Sequence, residues 1–141
     1  MSTTSSEVMH VRFRTVDGIT IRYAESDERQ DNPMLLTNPW PESLYAFLPI
    51  WQTLSQHSYL LAIDLPGFGQ SERRNDLLSP RAMGEFLIRL IDEWGLNTPH
   101  IVAPDVEPRL HCSPQRCIPA NCAALWSEAA GLPTRSRWVV Y

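Results

Sequence analysis

Tyr59-Leu60-Leu61-Ala62-Ile63-Asp64-Leu65-Pro66-Gly67-Phe68-Gly69-Gln70-Ser71 is the stretch whose reading decides the fold. Its first part, Tyr59 to Ile63, is an apolar run, the pattern of a strand buried on both faces. It opens into a loop where two glycines fall within three residues, so the backbone takes angles that other residues avoid. A dinucleotide site can also begin with a glycine loop after a strand. That fingerprint needs a third glycine near Arg73 and a helix starting inside the loop, with its N–H groups on the pyrophosphate. Neither is in this sequence, and nucleotide binding is set aside. Asp64 is read as bonding its own loop backbone, as aspartates in turns do, in preference to catalysis.

Working outward toward the C-terminus, Ser79 and Pro80 read as the N-cap and first-turn residue of a helix. Met83, Phe86, Leu87, Leu90, Ile91 and Trp94 follow with helical spacing, and Gly95 stops it. Beyond lies His100-Ile101-Val102-Ala103-Pro104-Asp105-Val106-Glu107. Ile101 to Ala103, bounded by Pro99 and Pro104, reads as a short buried strand that delivers a carboxylate into a turn. In a nucleophile elbow, small residues two before and two after the nucleophile let the backbone bend and lift the side chain above the sheet. Those positions are Ala103 and Glu107.

Toward the N-terminus, Val8 to Val16 alternates Val11 and Phe13 with Arg12 and Arg14, predicting a half-buried strand. Asp17-Gly18 supplies a two-residue turn, and Ile19, Ile21 and Tyr23 alternate again, predicting a β-hairpin. Pro33 to Thr37 adds a short strand, broken by Asn38-Pro39-Trp40-Pro41. Leu44, Phe47, Leu48, Trp51 and Leu54 have helical spacing over Ser43 to Leu54, with Pro49 dividing or kinking the helix. Strands alternating with helices predict an α/β fold whose sheet is mostly parallel after the hairpin.

Composition narrows the function. The chain has 141 residues, 43% hydrophobic and 20% charged, which describes one soluble globular domain. No apolar run approaches the roughly 20 residues of a membrane span, and Met1 to Ser6 lacks a basic, apolar leader; the expectation is a cytoplasmic protein without membrane contact. A net charge of -4 with no basic stripe argues against nucleic acid. The evenly spaced Cys112, Cys117 and Cys122 lack the close-pair pattern of a zinc site and read as incidental thiols. No motif calls for a metal or a cofactor. Trp40 and Trp51 read as core or pocket-wall aromatics, and His57 and His100 as solvated or capping residues.

Over roughly Val8 to Val106 the sequence resembles the α/β-hydrolases, especially the aspartate-nucleophile branch that includes epoxide hydrolases and haloalkane dehalogenases. Asp64 to Ser71 looks like that family's D-x-x-G-x-G-x-S loop. Asn38-Pro39-Trp40-Pro41-Glu42-Ser43 is similar to its H-G-x-P-E-S turn, with Asn38 and Pro39 in place of His and Gly. The resemblance implies the N-terminal half of an α/β-hydrolase fold, a small-molecule substrate, an oxyanion-hole N–H on Trp40 and a nucleophile at Asp105. An aspartate there opens an epoxide or displaces a halide by forming an ester, which a His-activated water hydrolyses. The family's chain order is nucleophile, acid, His. Downstream of Glu107 stand only His111 and then Glu128.

The tail breaks character. Up to Pro108 there are 8 arginines against 15 acidic residues; beyond it there are 4 arginines, Glu128 as the one acid, and all three cysteines. Glu107-Pro108 opposes the helix that should follow an elbow. If the frame shifts by one base after Val106, the first two bases of each visible codon fix the last two of the hidden one. With synonymous codons chosen suitably, the hidden frame can read Gly-Thr-Ser-Ala-Ala-Leu-Phe-Ala-Ala-Ala-Leu-His-Pro-Gly-Lys-Leu-Arg-Ser-Leu-Val-Val-Gly-Ser-Gly-Gly. That order restores an elbow glycine, an apolar helix, a turn and a buried strand. The sequence therefore predicts a disordered start over 1–7, a partial hydrolase domain over 8–106, and a truncated, frameshifted tail over 107–141. The open edge at Ile101 to Ala103 predicts self-association. Two classes remain: a hydrolase inactive in this form, and a non-catalytic fragment or small interaction module.

Overall fold

The computed structural model describes residues 8–27, 33–39, 41–103 and 138–139. The hairpin comes first: β1 (Val11–Val16) and β2 (Ile19–Glu25) pair antiparallel around Asp17-Gly18, both at positive φ. After β3 (Met34–Thr37), a 3-10 turn over Leu44–Phe47 runs into α1 (Leu48–Ser55). Pro49 divides the two, sitting in the first turn of α1, where a missing N–H leaves no bond unmade. β4 (Leu60–Ile63), a 3-10 turn over Asn75–Leu77, α2 (Pro80–Trp94), β5 (His100–Val102) and β6 (Trp138–Val139) complete the order. Ser79 caps α2 by accepting from the Ala82 N–H, and Gly95 ends it in the left-handed conformation.

The sheet runs β1-β2-β4-β3-β5-β6. β2 joins β4 antiparallel, whereas the β3–β4, β3–β5 and β5–β6 pairings are parallel. The expected mixed sheet, hairpin first and parallel after, is what forms. Each central strand is buried on both faces and feeds two cores. On one face Ile21, Tyr23, Leu35, Leu61, Ile63 and Ile101 meet Phe86, Leu87, Leu90 and Trp94 of α2. On the other, Ala24, Leu36, Leu60 and Ala62 meet Leu44, Phe47 and Trp51.

One strand departs from expectation. Phe13 does not face inward; it is 54% exposed, and only Val16 of β1 is fully buried. β1 is the edge of the sheet, where the helices no longer reach both faces. Of the tail, only Trp138–Val139 is described, as the strand beside β5; the rest of the expectation for 107–141, the three cysteines and the 1–7 segment lie outside the described residues. No helix among those described is long and apolar enough to cross a membrane.

Candidate functional site

The order of the strands reverses at β3. The chain leaves β3 through α1, on one face, to reach β4; it then passes through α2, on the other face, to reach β5 on the opposite side of β3. In open parallel sheets the crevice outside the carboxyl ends at such a reversal is where ligands bind. Here those ends belong to β3 and β5, in register with Leu36 opposite Val102. The Thr37 hydroxyl points across the pair to the Val102 carbonyl at 3.5 Å. β3 and β5 therefore end side by side.

Asn38 organises the start of the first turn. Its N–H donates to the Ile63 carbonyl (3.2 Å), its Oδ1 accepts from the Leu65 N–H (2.8 Å), and its Nδ2 donates to the Pro39 and Glu42 carbonyls. The Glu42 N–H closes the turn on the Pro39 carbonyl at 2.8 Å. Between Asn38 and Glu42 the sequence offers a single backbone donor, the Trp40 N–H, because Pro39 and Pro41 have none.

Asp64 stands at the end of β4, fully buried. Its Oδ1 accepts from the Leu44 N–H at 2.7 Å, while Oδ2 accepts from the Gln70 N–H at 3.0 Å and from Arg22 Nε at 2.6 Å. Ser71 Oγ donates to the Asp64 carbonyl and accepts from the Arg22 N–H. A side chain on Gly69, at φ +50, would collide with the Asp64 carboxylate, so the glycine is needed for space as well as for its backbone angle. The loop's N–H groups turn inward: Gly67, Phe68, Gln70 and Ser71 donate to Glu72, Leu65, Asp64 and Phe68. They form no phosphate cradle, and Asp64 takes the structural role read from the sequence.

Arg22 is the site residue that sequence reasoning missed. It is buried, paired to Asp64, and its guanidinium lies 5.3 Å from the centre of the Tyr45 ring. The alternation that marks Ile19, Ile21 and Tyr23 as inward assigns Arg22 to solvent. Only the pairing of β2 with β4 shows that its second face is covered too.

Trp40 and Asp105, the two residues carrying the expected chemistry, lie outside the described residues, as do His111 and Glu128; what is described is how their flanks are held. Trp51 is core, at 1% exposed, and its indole N–H has no partner among the described residues. His57 is exposed at the end of α1 and His100 is half-buried at the start of β5. No group of three metal-ligating side chains occurs among the described residues.

An open sheet with helices on both faces and a strand reversal at β3 defines an α/β fold. Comparison with solved structures makes the fold particular. The chain is similar to Cfl2 from Burkholderia cenocepacia (TM-score 0.71, 23% identity, covering 92% of this chain and 40% of that one). It is also similar to epoxide hydrolase A from Mycobacterium thermoresistibile (TM-score 0.68, 20% identity, 94% and 38%). A third likeness is the Cif epoxide hydrolase from Acinetobacter nosocomialis (TM-score 0.63, 23% identity, 74% and 32%). The fold is thus the N-terminal part of an α/β-hydrolase. No protein-family model matches the chain. Among curated proteins, the dihydrolipoyllysine-residue acetyltransferase component of the acetoin cleaving system of Cupriavidus necator is 32% identical over 91 residues, 64% of this chain and 24% of the relative. The chain spans a quarter of that relative and about two fifths or less of these solved structures.

Proposed function

We propose that this chain carries the N-terminal half of a cytoplasmic α/β-hydrolase of the aspartate-nucleophile type, acting on a small epoxide or haloalkane. Asp105 takes the nucleophile position and the Trp40 N–H serves as an oxyanion donor. The observation that supports this most is the parallel register of β3 and β5, which brings together the ends of the two strands that precede Trp40 and Asp105 in the sequence. The epoxide hydrolases among the similar structures support the same chemistry.

In that reaction an Asp105 carboxylate oxygen attacks a carbon of the substrate. A carbon–oxygen ester bond forms; with an epoxide the ring carbon–oxygen bond breaks and its oxygen, released as an alkoxide, takes a proton from water, whereas with a haloalkane the carbon–halogen bond breaks and a halide ion leaves. Water, deprotonated by a histidine, then adds to the ester carbonyl, and the oxyanion formed accepts backbone N–H donors before the alcohol leaves. The histidine must itself be oriented by an acid. Among these 141 residues the order downstream of Glu107 is His111 then Glu128, the reverse of the order nucleophile, acid, His. As they stand, these residues do not complete turnover.

The tail beyond Val106 is the product of a one-base shift, on this reading, and the hidden frame holds the continuation of the hydrolase. Restoring one base after the Val106 codon, so that glycine replaces Glu107, tests the whole. Hydrolysis of an epoxide or haloalkane panel that disappears with Asp105→Ala is the expected result. An early stop in the restored frame, or full activity in Asp105→Ala, sinks the reading and leaves the non-catalytic fragment or small interaction module in its place.

A further inference from the structure

We propose that Arg22 is a receptor for the carboxylate of a small aromatic acid, with Phe13 and Tyr45 as the walls that take its ring. Neither Trp40 nor Asp105 enters it, so the subsite stands or falls apart from the hydrolase reading. Arg22 is 5% exposed, and a guanidinium carries five N–H donors. One of them is spent: Nε donates to Asp64 Oδ2 at 2.6 Å, whereas the two terminal nitrogens have no acceptor among the described residues. Asp64 does not call for them, because the Leu44 and Gln70 N–H groups complete its carboxylate. Nor are they sealed in the core. The one fully enclosed side-chain donor without a partner among the described residues is the Trp51 indole N–H, so the terminal nitrogens of Arg22 reach the surface.

What borders that opening is aromatic. Phe13 stands directly opposite Arg22 in the β1–β2 ladder, so both side chains leave the same face of the sheet, about 5 Å apart at Cβ. That is the α1 face, since Val11 and Ala24, two residues along on each strand, pack with Leu44 and Trp51. Tyr45, from the 3-10 turn leading into α1, brings its ring centre to 5.3 Å from the Arg22 guanidinium carbon. Both rings remain half-exposed, Phe13 at 54% and Tyr45 at 48%. A planar fork of unspent donors bordered by two open rings matches a planar carboxylate, taken by two parallel hydrogen bonds, on an aromatic body. A phosphate would bring close to two negative charges beside Asp64, where a carboxylate brings one.

Fluorine NMR of para-fluorobenzoate titrated with the 141-residue chain tests this. Saturable binding, with a dissociation constant in the millimolar range expected of so small a ligand, is the predicted result. Arg22→Lys keeps the charge beside Asp64 but not the fork, and should weaken binding about tenfold or more. Phe13→Ser and Tyr45→Ser should each weaken it about threefold. Both ring positions are exposed, so these two variants decide the matter should Arg22→Lys fail to fold. Para-fluorobenzamide, nearly the same shape without the charge, should bind at least about tenfold more weakly. Binding that does not saturate, that survives Arg22→Lys or both ring variants, or that the amide matches would leave Arg22 with water alone at its terminal nitrogens and overturn the proposal. A glutamate-containing peptide that displaces the probe at lower concentration than unlabelled benzoate would make the carboxylate a protein's, and overturn the assignment to a small acid.

Discussion

Arg22 and Asp64 show how much a single pair can hide from sequence. Asp64 was legible as a structural aspartate because it opens a glycine loop. Its partner was not, since a charged residue between Ile21 and Tyr23 reads as outward until the strand neighbours are known. Removing one member of a buried pair leaves the other charge uncompensated. Arg22→Met should therefore lower stability by about 3–5 kcal/mol in urea unfolding, and adding Asp64→Asn should recover part of it. Asp17 makes the exposed contrast. The Arg74 guanidinium bonded to it, with Arg89 alongside, holds its carboxyl below the ordinary value of 3.8. A depressed folded-state value means that the contribution is present above 3.8 and is lost as pH falls through the lower, folded-state value. The stability difference between the unsubstituted chain and Asp17→Asn should thus be present at pH 7 and disappear in acid; a difference that persists unchanged at the lowest pH would contradict the pairing.

The elements themselves were mostly legible, for local reasons. Ser79, Pro80 and Gly95 punctuate α2, and all three act as read: the serine caps, the proline starts and the glycine takes φ +64. Ser79→Ala should cost about 1 kcal/mol, measurable by thermal unfolding. Two of the four glycines at positive φ, Gly69 and Gly95, should separate sharply. Gly95 has open space where a side chain would go, so Gly95→Ala meets only backbone strain. Gly69→Ala meets that strain and the Asp64 carboxylate together, and should destabilise the chain more. Equal losses at the two positions would mean that the Asp64 cluster is not packed as described. Phe13 was misread because alternation reports which side chains share a face and not whether anything covers it; β1 is an edge, and its face is open.

At the scale of the whole molecule, the mixed sheet, a hairpin first and parallel strands after, followed from strands and helices alternating in sequence, whereas the strand order was not read from it. The site was only half legible. Its scaffold, the reversal at β3, rests on crossovers that the pattern of elements implies. Its chemistry rests on Asp105, read from a strand that delivers a carboxylate into a turn, and on Trp40, read from resemblance. β5 is paired on its outer side with the two residues of β6, which form the edge of the described sheet. We expect the chain to self-associate in a concentration-dependent way through that edge, and sedimentation across a concentration series will show it. A monodisperse monomer at high concentration would argue that the chain closes its own sheet. The central claim, that the Trp40 turn and Asp105 belong to an aspartate-nucleophile hydrolase interrupted after Val106, is tested most directly by trapping its intermediate. The frame-restored protein, with the histidine that the new frame supplies replaced, should be incubated with an epoxide and its peptides weighed. The account predicts a mass increase of one whole substrate on the peptide bearing Asp105, absent in Asp105→Ala. Product formed without any adduct, or an adduct on another residue, would contradict it.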